Sequence, residues 1–346
     1  MEHVAIDLGG RESQVCVRAT DGSVLEERLV ATKGLEKYLS SRPASRVILE
    51  TCAEAFAVAD EVLAAGHEVR VVPSLLVRQL GVGARGVKND RSDARALSLA
   101  SSRLDLPSVH IPSATARYAR SLSAAREAVI ESRTRLINSS RGWMRTELLQ
   151  LRKGGTETFT RRVRELLESS PRGTPAFIEP LLSAIDGLSE QILELDKQLE
   201  TLAENNPVCR RLMSAPIGPV TAVRFVAAVD EVARFGSAHA VESYLGMTTG
   251  EHKSSGRGHR TGITKAGPAA VRRALVQACW VAWRGRTKEP LVLWAKNVAE
   301  RRGARIAIVA MARKLIGILY AMWRDGTTYD PFFEDKRAHT AKRAAA

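Results

Sequence analysis

Four acidic residues stand where they could meet around metal ions. Asp7 and Glu50 each end an apolar run typical of a buried strand, and Asp90 and Asp93 lie three residues apart at the start of a helical stretch. That spacing places two side chains on one helical face. Four carboxylates at one point repel each other unless hard divalent cations neutralise them, and Mg²⁺ takes oxygen ligands. The set therefore predicts a Mg²⁺ site suited to phosphodiester chemistry.

Each acid also has a plain structural interpretation. Asp7 could cap a turn after its strand, and Asp90 or Asp93 could cap the start of a helix. Glu50 is harder to explain in this way, because it ends the apolar run 47–49, where an acid without a partner is costly to bury. The ordered set, on the expected elements, favours the metal site.

A second candidate for chemistry is the polar, basic and glycine-rich stretch 246–267. Its glycines allow close approach of the backbone to phosphate, and its basic side chains supply charge-assisted donors. A serine in such a loop is either a phosphate ligand or, once activated, a nucleophile toward phosphorus. We expect nucleic-acid contacts here from Lys253, Arg257, His259, Arg260, Lys265, Arg272 and Arg273.

The N-terminal elements have to position the carboxylates. Residues 1–112 show the order strand-strand-strand-helix-strand-helix-strand-helix, which predicts an α/β ribonuclease-H-like (RuvC-like) domain with a mixed sheet. In that fold the first and fourth strands are neighbours, so Asp7 and Glu50 are brought together. Lys88, just before the helix of Asp90, is a further candidate for nucleic-acid contact.

Residues 113–205 are predicted to be a helical, coiled-coil region. A heptad seam runs through its second half, formed by Ile185, Leu188, Ile192, Leu195, Leu199 and Leu202. The seam fits a coiled coil between subunits and a helical hairpin within one subunit equally well. The first half carries arginines with few balancing acids, and we expect Arg133, Arg141 and Arg145 to face nucleic acid.

Residues 206–331 predict a third, mostly helical domain that contains the serine stretch, followed by a flexible tail at 332–346. The segment 215–219, rich in proline and glycine, is similar to a helix-hairpin-helix turn, in which amides at a helix start hold a phosphate.

Composition narrows the class of partner. The 346 residues suffice for two or three domains, and 52 Lys+Arg against 38 Asp+Glu leave a net charge of +14, which favours a polyanion. We see no signal peptide, no membrane span and no paired cysteine motif, so we expect a cytoplasmic protein with reduced thiols and no membrane partner.

The motifs AIDLG, VILET, KNDRSDARAL and YLGMTTGEHKSSGRGHRTGITKAG together resemble the insertion sequence 110 family of transposases. The resemblance implies that Asp7, Glu50, Asp90 and Asp93 bind Mg²⁺ and that Ser254 is the nucleophile. Ser255 stands where the family usually has glycine, and a serine followed by glycine occurs here only at Ser255-Gly256. Ser255 is therefore the alternative candidate for the nucleophile. The resemblance also implies a structured guide (bridge) RNA, double-stranded donor and target DNA, and a tetramer whose sites combine one subunit's carboxylates with another's serine.

The sequence thus predicts a site-specific DNA recombinase of a mobile element that works through a phosphoserine intermediate. Two alternatives remain. One is a RuvC-like, Mg²⁺-dependent junction-resolving endonuclease in which water attacks and Ser254 only binds phosphate. The other is a non-catalytic RNA- or DNA-binding protein, which the intact set of four acids disfavours.

Overall fold

A computed structural model of the chain describes residues 1–79, 90–170, 173–254 and 257–332. The chain divides into two compact units, residues 1–112 and 113–346. Lys88, Ser255, Gly256 and all of the tail except Phe332 lie outside the described residues.

The first unit is built on a five-stranded mixed sheet with the order β3-β2-β1-β4-β5. Strands β1 to β3 pair antiparallel, whereas β1, β4 and β5 pair parallel. This sheet is the one that the sequence predicts, with the first and fourth strands adjacent. Its strands are β1 (His3–Asp7), β2 (Glu12–Arg18), β3 (Val24–Ala31), β4 (Arg46–Glu50) and β5 (Glu68–Val72).

Helices cover both faces of this sheet. They are α1 (Leu35–Ser40), α2 (Ala55–Ala64), α3 (Ser74–Gln79) and α4 (Asp90–Arg103). Alternate residues of β1 separate the two cores: Val4 and Ile6 pack with α1 and α2, whereas Ala5 packs with Leu97 of α4 and with Ile48 of β4. The side-chain period of two residues in a strand produces this division.

The second unit is mostly helical, as predicted for its C-terminal part. Its helices are α5 (Ala114–Thr146), α6 (Phe159–Glu168), α7 (Ile178–Asn205), α8 (Pro207–Leu212), α9 (Pro219–Val229), α10 (Ala238–Tyr244), α11 (Ala269–Gly285), α12 (Pro290–Arg302) and α13 (Ala304–Asp325). A two-stranded antiparallel hairpin, β6 (Thr249–Ser254) and β7 (Arg257–Ile263), interrupts them. The sequence predicts a loop there. The glycines that favour a loop lie instead in and around the two-stranded hairpin.

The heptad seam packs inside the chain. Helices α5 and α7 run antiparallel, since Arg126 pairs with Asp196 and Arg133 donates to Ser189. The seam's Ile185 lies in a core with Ile137 of α5, and Leu199 lies in the main core of the unit. The seam is therefore buried in a helical hairpin within one chain, which is one of the two alternatives that the sequence leaves open. A coiled coil between subunits is not confirmed.

The predicted boundary near residue 205 does not separate two compact bodies. Leu122 of α5 and Leu199 of α7 share one core with Phe225 of α9 and Leu315 of α13. Apolar side chains from both predicted regions are buried against each other, so residues 113–205 and 206–331 fold as one unit.

Helix α13 is long and apolar enough to cross a membrane by length and composition, the one such helix in the described part of the chain. Half of its apolar window is buried, and Met311, Leu315 and Leu319 are fully buried in the core of the second unit. Its composition is therefore explained by its place as a central core helix.

Candidate active site

Asp7 and Asp93 are brought to the same height because the residue spacing along β1 matches the spacing along α4. His3, Ala5 and Asp7 alternate on one face of β1, and the His3 ring bonds Ser101 of α4 at 2.8 Å (Nδ1 to Oγ). Ala5 packs with Leu97. Two residues of a strand advance about 6.6 Å, and four residues of a helix advance about 6 Å. The next step of each element brings Asp93 level with Asp7.

Glu50 joins the same face from the neighbouring strand. The parallel register pairs Ala5 with Ile48 and Ile6 with Leu49, so Asp7 and Glu50 are the next positions along both strands. Adjacent strands lie about 4.8 Å apart. Both acids thus follow apolar residues on the face that α4 covers, at the carboxyl ends of parallel strands.

The turn after Asp7 is rigidly built. A Cβ on Gly9 would lie 2.3 Å from the Glu12 carbonyl oxygen, so only glycine fits. The Thr32 hydroxyl donates to the Gly9 carbonyl oxygen at 2.6 Å, and the fully buried Ser13 hydroxyl accepts from the Gly9 amide at 3.3 Å. These bonds fix the end of β1 that carries Asp7.

The start of α4 is tied to the sheet through Glu27. Its carboxylate accepts from Arg91 (Nη2, 2.6 Å) and from Arg95. The hydrogen bonds from Arg95 lower the pKa of Glu27 most, and the hydrogen bonds and charge of Arg91 add to this effect. Together they outweigh desolvation and lower the pKa to about 2. This ion-paired cluster holds the first two turns of α4, and with them Asp90 and Asp93, against β3.

The four carboxylates nevertheless do not form a closed metal site. Asp93 is buried, Asp7 and Glu50 are half-buried, and Asp90 is exposed. Within the described ranges, no group of three or more His, Cys, Asp or Glu side chains is arranged to hold a metal ion. An all-carboxylate donor set at one end of one sheet face suits Mg²⁺ in its chemistry. The structure brings the four positions to that end without assembling the ligand sphere.

The serine stretch forms the β6–β7 hairpin. The register pairs Ser254 with Arg257, Lys253 with Gly258 and His252 with His259. For these residues and Arg260 the structure describes the backbone and not the side chains. Ser254 therefore lies at the last paired position of β6, and the choice between Ser254 and Ser255 stays a prediction.

The base of the hairpin is locked by contacts that only glycine allows. Gly246 and Gly267 have φ values of +67° and +65°, and an added Cβ on either would lie 2.1 Å from a carbonyl oxygen. Arg272 donates to the carbonyl oxygens of Leu245 and Gly267, each at 3.1 Å. Between the two glycines, exposed Lys265 also adopts a left-handed backbone (φ 58°), which is uncommon outside glycine.

Four of the basic residues singled out for nucleic acid have side-chain contacts within the chain. Arg272 holds backbone carbonyls at the hairpin base, and half-buried Arg133 donates to Ser189 between α5 and α7. Arg273 is exposed and contacts Glu127 at 3.3 Å. Arg141 and Arg145 are exposed, and Arg141 lies over the Phe159 ring. Of the three α5 arginines singled out in the sequence, the last two are the exposed ones.

Sequence reasoning missed a buried polar group in the second unit. Arg224 of α9 is 7% exposed and donates to Glu127 of α5 at 2.6 Å and to the Ser123 carbonyl oxygen at 3.2 Å. The signal was present, since Arg224 is the lone charge in the apolar helix PVTAVRFVAAV. A charge at such a position requires a partner on another element.

Comparison with known proteins places these features in one family. Residues 4–147 match the DEDD transposase model of the IS110 group, and residues 209–291 match the model described as the IS116/IS110/IS902 transposase family. The two matches include all four carboxylates and the hairpin of Ser254.

The chain is also similar to curated proteins over nearly its full length. It is 25% identical to a probable family 20 transposase of Pseudomonas aeruginosa, over 96% of this chain and 99% of the relative. It is 26% identical to the transposase for insertion sequence element IS1111A of Coxiella burnetii, over 94% and 90%. Identity to the transposase for insertion sequence element IS1328 of Yersinia enterocolitica is 24%, over 94% and 98%.

Proposed function

Because the chain belongs to the IS116/IS110/IS902 family of transposases, enzymes that transfer DNA strands, we propose that it cuts and rejoins DNA through a serine nucleophile and a carboxylate-bound metal. The observation that carries the proposal is the packing of α4 along β1, with His3 bonded to Ser101. This packing sets Asp93 level with Asp7, and the β1–β4 register puts Glu50 beside Asp7. The proposed residues are Asp7, Glu50, Asp90 and Asp93 for Mg²⁺, and Ser254 for attack.

The strand transfer balances without an energy source. The Ser254 hydroxyl loses its proton as Oγ bonds to phosphorus, the bond from phosphorus to the leaving strand breaks, and the leaving oxygen gains a proton. The hydroxyl of another strand then attacks the phosphoserine, and Oγ leaves and is reprotonated. Mg²⁺ bound by the four carboxylates would neutralise charge on the phosphate. A hydroxyl is a weak nucleophile at its own pKa and needs such help.

The partners follow from the same proposal. Donor and target DNA, a structured guide RNA and a tetramer are what the family resemblance implies. The cytoplasmic location expected from the sequence, together with a DNA substrate, would place the protein at the nucleoid. The excess of Lys and Arg and the exposed Arg141 and Arg145 support a polyanionic partner.

A covalent adduct tests the chemistry. The wild-type chain, Ser254→Ala and Ser255→Ala are each incubated with Mg²⁺, element DNA and RNA transcribed from the element's flank, and adducts are detected by their sensitivity to protease. We expect loss of the adduct only in Ser254→Ala, with DNA binding retained. Loss only in Ser255→Ala would move the nucleophile by one residue. Persistent nicking by both variants without any adduct would favour attack by water and contradict the proposal.

A mixing experiment tests whether the site is shared between subunits. Asp93→Asn lacks a metal ligand but keeps Ser254, and Ser254→Ala has the opposite defect. If one subunit's carboxylates act with another's serine, the mixture regains recombination that neither variant has alone. A mixture as inactive as its components would place both parts of the site in one chain.

A further inference from the structure

A pocket of about 400 Å³ lies among four helices of the second unit. Its walls are one side of α5, the end of α9, Tyr244 at the end of α10 and the first turn of α11. We call it the interhelical pocket. Its volume is within the range of small-ligand sites.

Two buried polar side chains in the lining of the interhelical pocket each have one atom without a hydrogen-bond partner. The Nε atom of Arg224 and the Oγ atom of Ser123 have no hydrogen-bond partner among the described residues, although both side chains are more than nine-tenths buried. Buried donors are nearly always paired, because an unpaired one loses its water without replacement. The wall of the pocket therefore contains two unsatisfied polar atoms.

The start of α11 supplies further donors to the same pocket. Helix α11 has 17 residues, and no side chain caps it because its N-cap residue is Pro268. Ala270 and Val271 of its first turn line the pocket. The first amides of a helix have no partner within the helix, and the helix dipole favours an anion at this end. The first turn contains no acid.

The charges around the pocket favour an anion as well. Glu127 is shared by Arg224 at 2.6 Å and Arg273 at 3.3 Å. Burial works against ionisation of Glu127, but its bonds to Arg224 and the charge of Arg273 prevail and lower its pKa, so the carboxylate stays charged. Arg120 donates to the Ala227 carbonyl oxygen, and exposed Glu131 is the second acid in the lining. Three arginines thus face two carboxylates beside a positive helix end.

We propose that the interhelical pocket binds a backbone phosphate of the nucleic-acid substrate together with the sugar that carries it. The α11 amides and Arg273 donate to the phosphate, Arg273 turns away from Glu127 to do so, and the sugar lies against Ala124, Ala128 and Ala228. The assignment of nucleic acid rests on the proposed function. The anion site itself is independent of that function and can be tested without recombination.

The first test uses inorganic phosphate. Thermal unfolding of the full chain is compared in phosphate and in chloride at equal ionic strength, for the wild type, Arg273→Ala and Arg284→Ala. Arg284 is exposed at the other end of α11 and is the matched control. Phosphate stabilises folded chains generally by exclusion from their surface, so we expect it to raise the Tm of the wild type and of the control by more than that of Arg273→Ala. Equal shifts in all three would overturn the anion site.

The second test uses labelled double-stranded DNA and RNA of the same sequence over a series of salt concentrations. Arg273→Ala should weaken binding about tenfold and reduce the salt slope by about 0.9 for the duplex DNA, whereas Arg284→Ala should change neither. A reduced slope with only one of the two probes identifies that nucleic acid as the source. Unchanged slopes with both probes would overturn the nucleic-acid assignment, even where free phosphate binds.

Glu127→Gln separates ligand binding from a structural role. The carboxylate competes with phosphate for Arg273, so its removal should tighten binding about threefold, the strength of an ordinary exposed ion pair. The glutamine oxygen still accepts from Arg224, which preserves the buried contact. Weaker binding in Glu127→Gln than in the wild type would show that the ion pair only supports the fold, and would overturn the proposal.

Discussion

The ring of His3 on β1 is hydrogen-bonded to the Ser101 hydroxyl on α4 at 2.8 Å, and both residues are buried. This contact sets the height of the helix along the strand. Helix α4 runs antiparallel to β1. The C-terminal end of β1, which carries Asp7, and the N-terminal end of α4, which carries Asp93, therefore lie on the same side of this bond. A bond about two turns of α4 away from Asp93 therefore contributes to setting Asp93 level with Asp7.

Loss of this bond should destabilise the first unit in a pH-dependent way. Burial, followed by the charge of Arg46, lowers the pKa of His3 below its ordinary 6.5. The unfolded chain therefore binds this proton more tightly, so the stabilisation is complete above pH 6.5 and is lost as pH falls through the folded-state pKa. His3→Gln should cost about 1–2 kcal/mol near neutral pH and flatten the decline in acid.

Urea unfolding between about pH 5.5 and 7.5 measures both effects. Parallel profiles for the wild type and His3→Gln would contradict the assignment to His3.

Mg²⁺ should stabilise the wild-type chain through the carboxylates. A ligand at one hundred times its Kd adds about 2.7 kcal/mol to the free energy of unfolding. Asp93→Asn should lose most of this gain and, because like charges repel, should be at least as stable as the wild type without metal. Glu36→Gln removes an exposed carboxylate from α1, on the opposite face of the sheet, and should keep the full gain. An equal Mg²⁺ effect in all three proteins would exclude Asp93 as a ligand.

Gly246→Ala should disrupt the base of the serine hairpin. The added methyl group would lie 2.1 Å from the Ala266 carbonyl oxygen at a left-handed φ. Steric overlap and the backbone conformation together should cost about 2–4 kcal/mol and abolish recombination. Gly187 lies in α7 with open space around its Cα, so Gly187→Ala should instead add about 0.5–1 kcal/mol. Thermal unfolding of both variants provides the comparison, and unimpaired activity in Gly246→Ala would refute the role of this contact.

Replacing Arg141 and Arg145 together by Ala should flatten the salt dependence of RNA binding. Each lost phosphate contact lowers the slope by about 0.7 on single strands. Arg126 pairs with Asp196 between α5 and α7, so Arg126→Ala should reduce stability but leave the slope unchanged. If the double variant keeps the wild-type slope, these arginines form an ordinary solvated face.

The first unit could be predicted closely from the sequence. Strand runs such as 46–50 end at turn signals, and β1 and β4 contain few polar residues because both faces of the sheet are covered. The acids at the ends of these strands were identifiable for the same reason, since an acid that ends a buried run is conspicuous. Local patterns carried this information.

The second unit was harder to predict because its contacts join distant segments. A heptad seam specifies an apolar stripe and not its partner, so the sequence could not distinguish α5 of the same chain from another subunit. The sequence predicts a loop in place of the β6–β7 hairpin, because the residues that hold its base, Gly246, Gly267 and Arg272, lie outside the paired strands.

The sequence by itself determined the residue types at the site, the strands that carry Asp7 and Glu50, and the helix that carries Asp90 and Asp93. Only the tertiary structure decided that α4 lies antiparallel on β1 with Asp93 at the height of Asp7. It also decided that Arg224, Glu127 and the start of α11 share one pocket. Periodicity reports which face of an element is buried, whereas the height and partner of that face are set by packing between elements far apart in the chain.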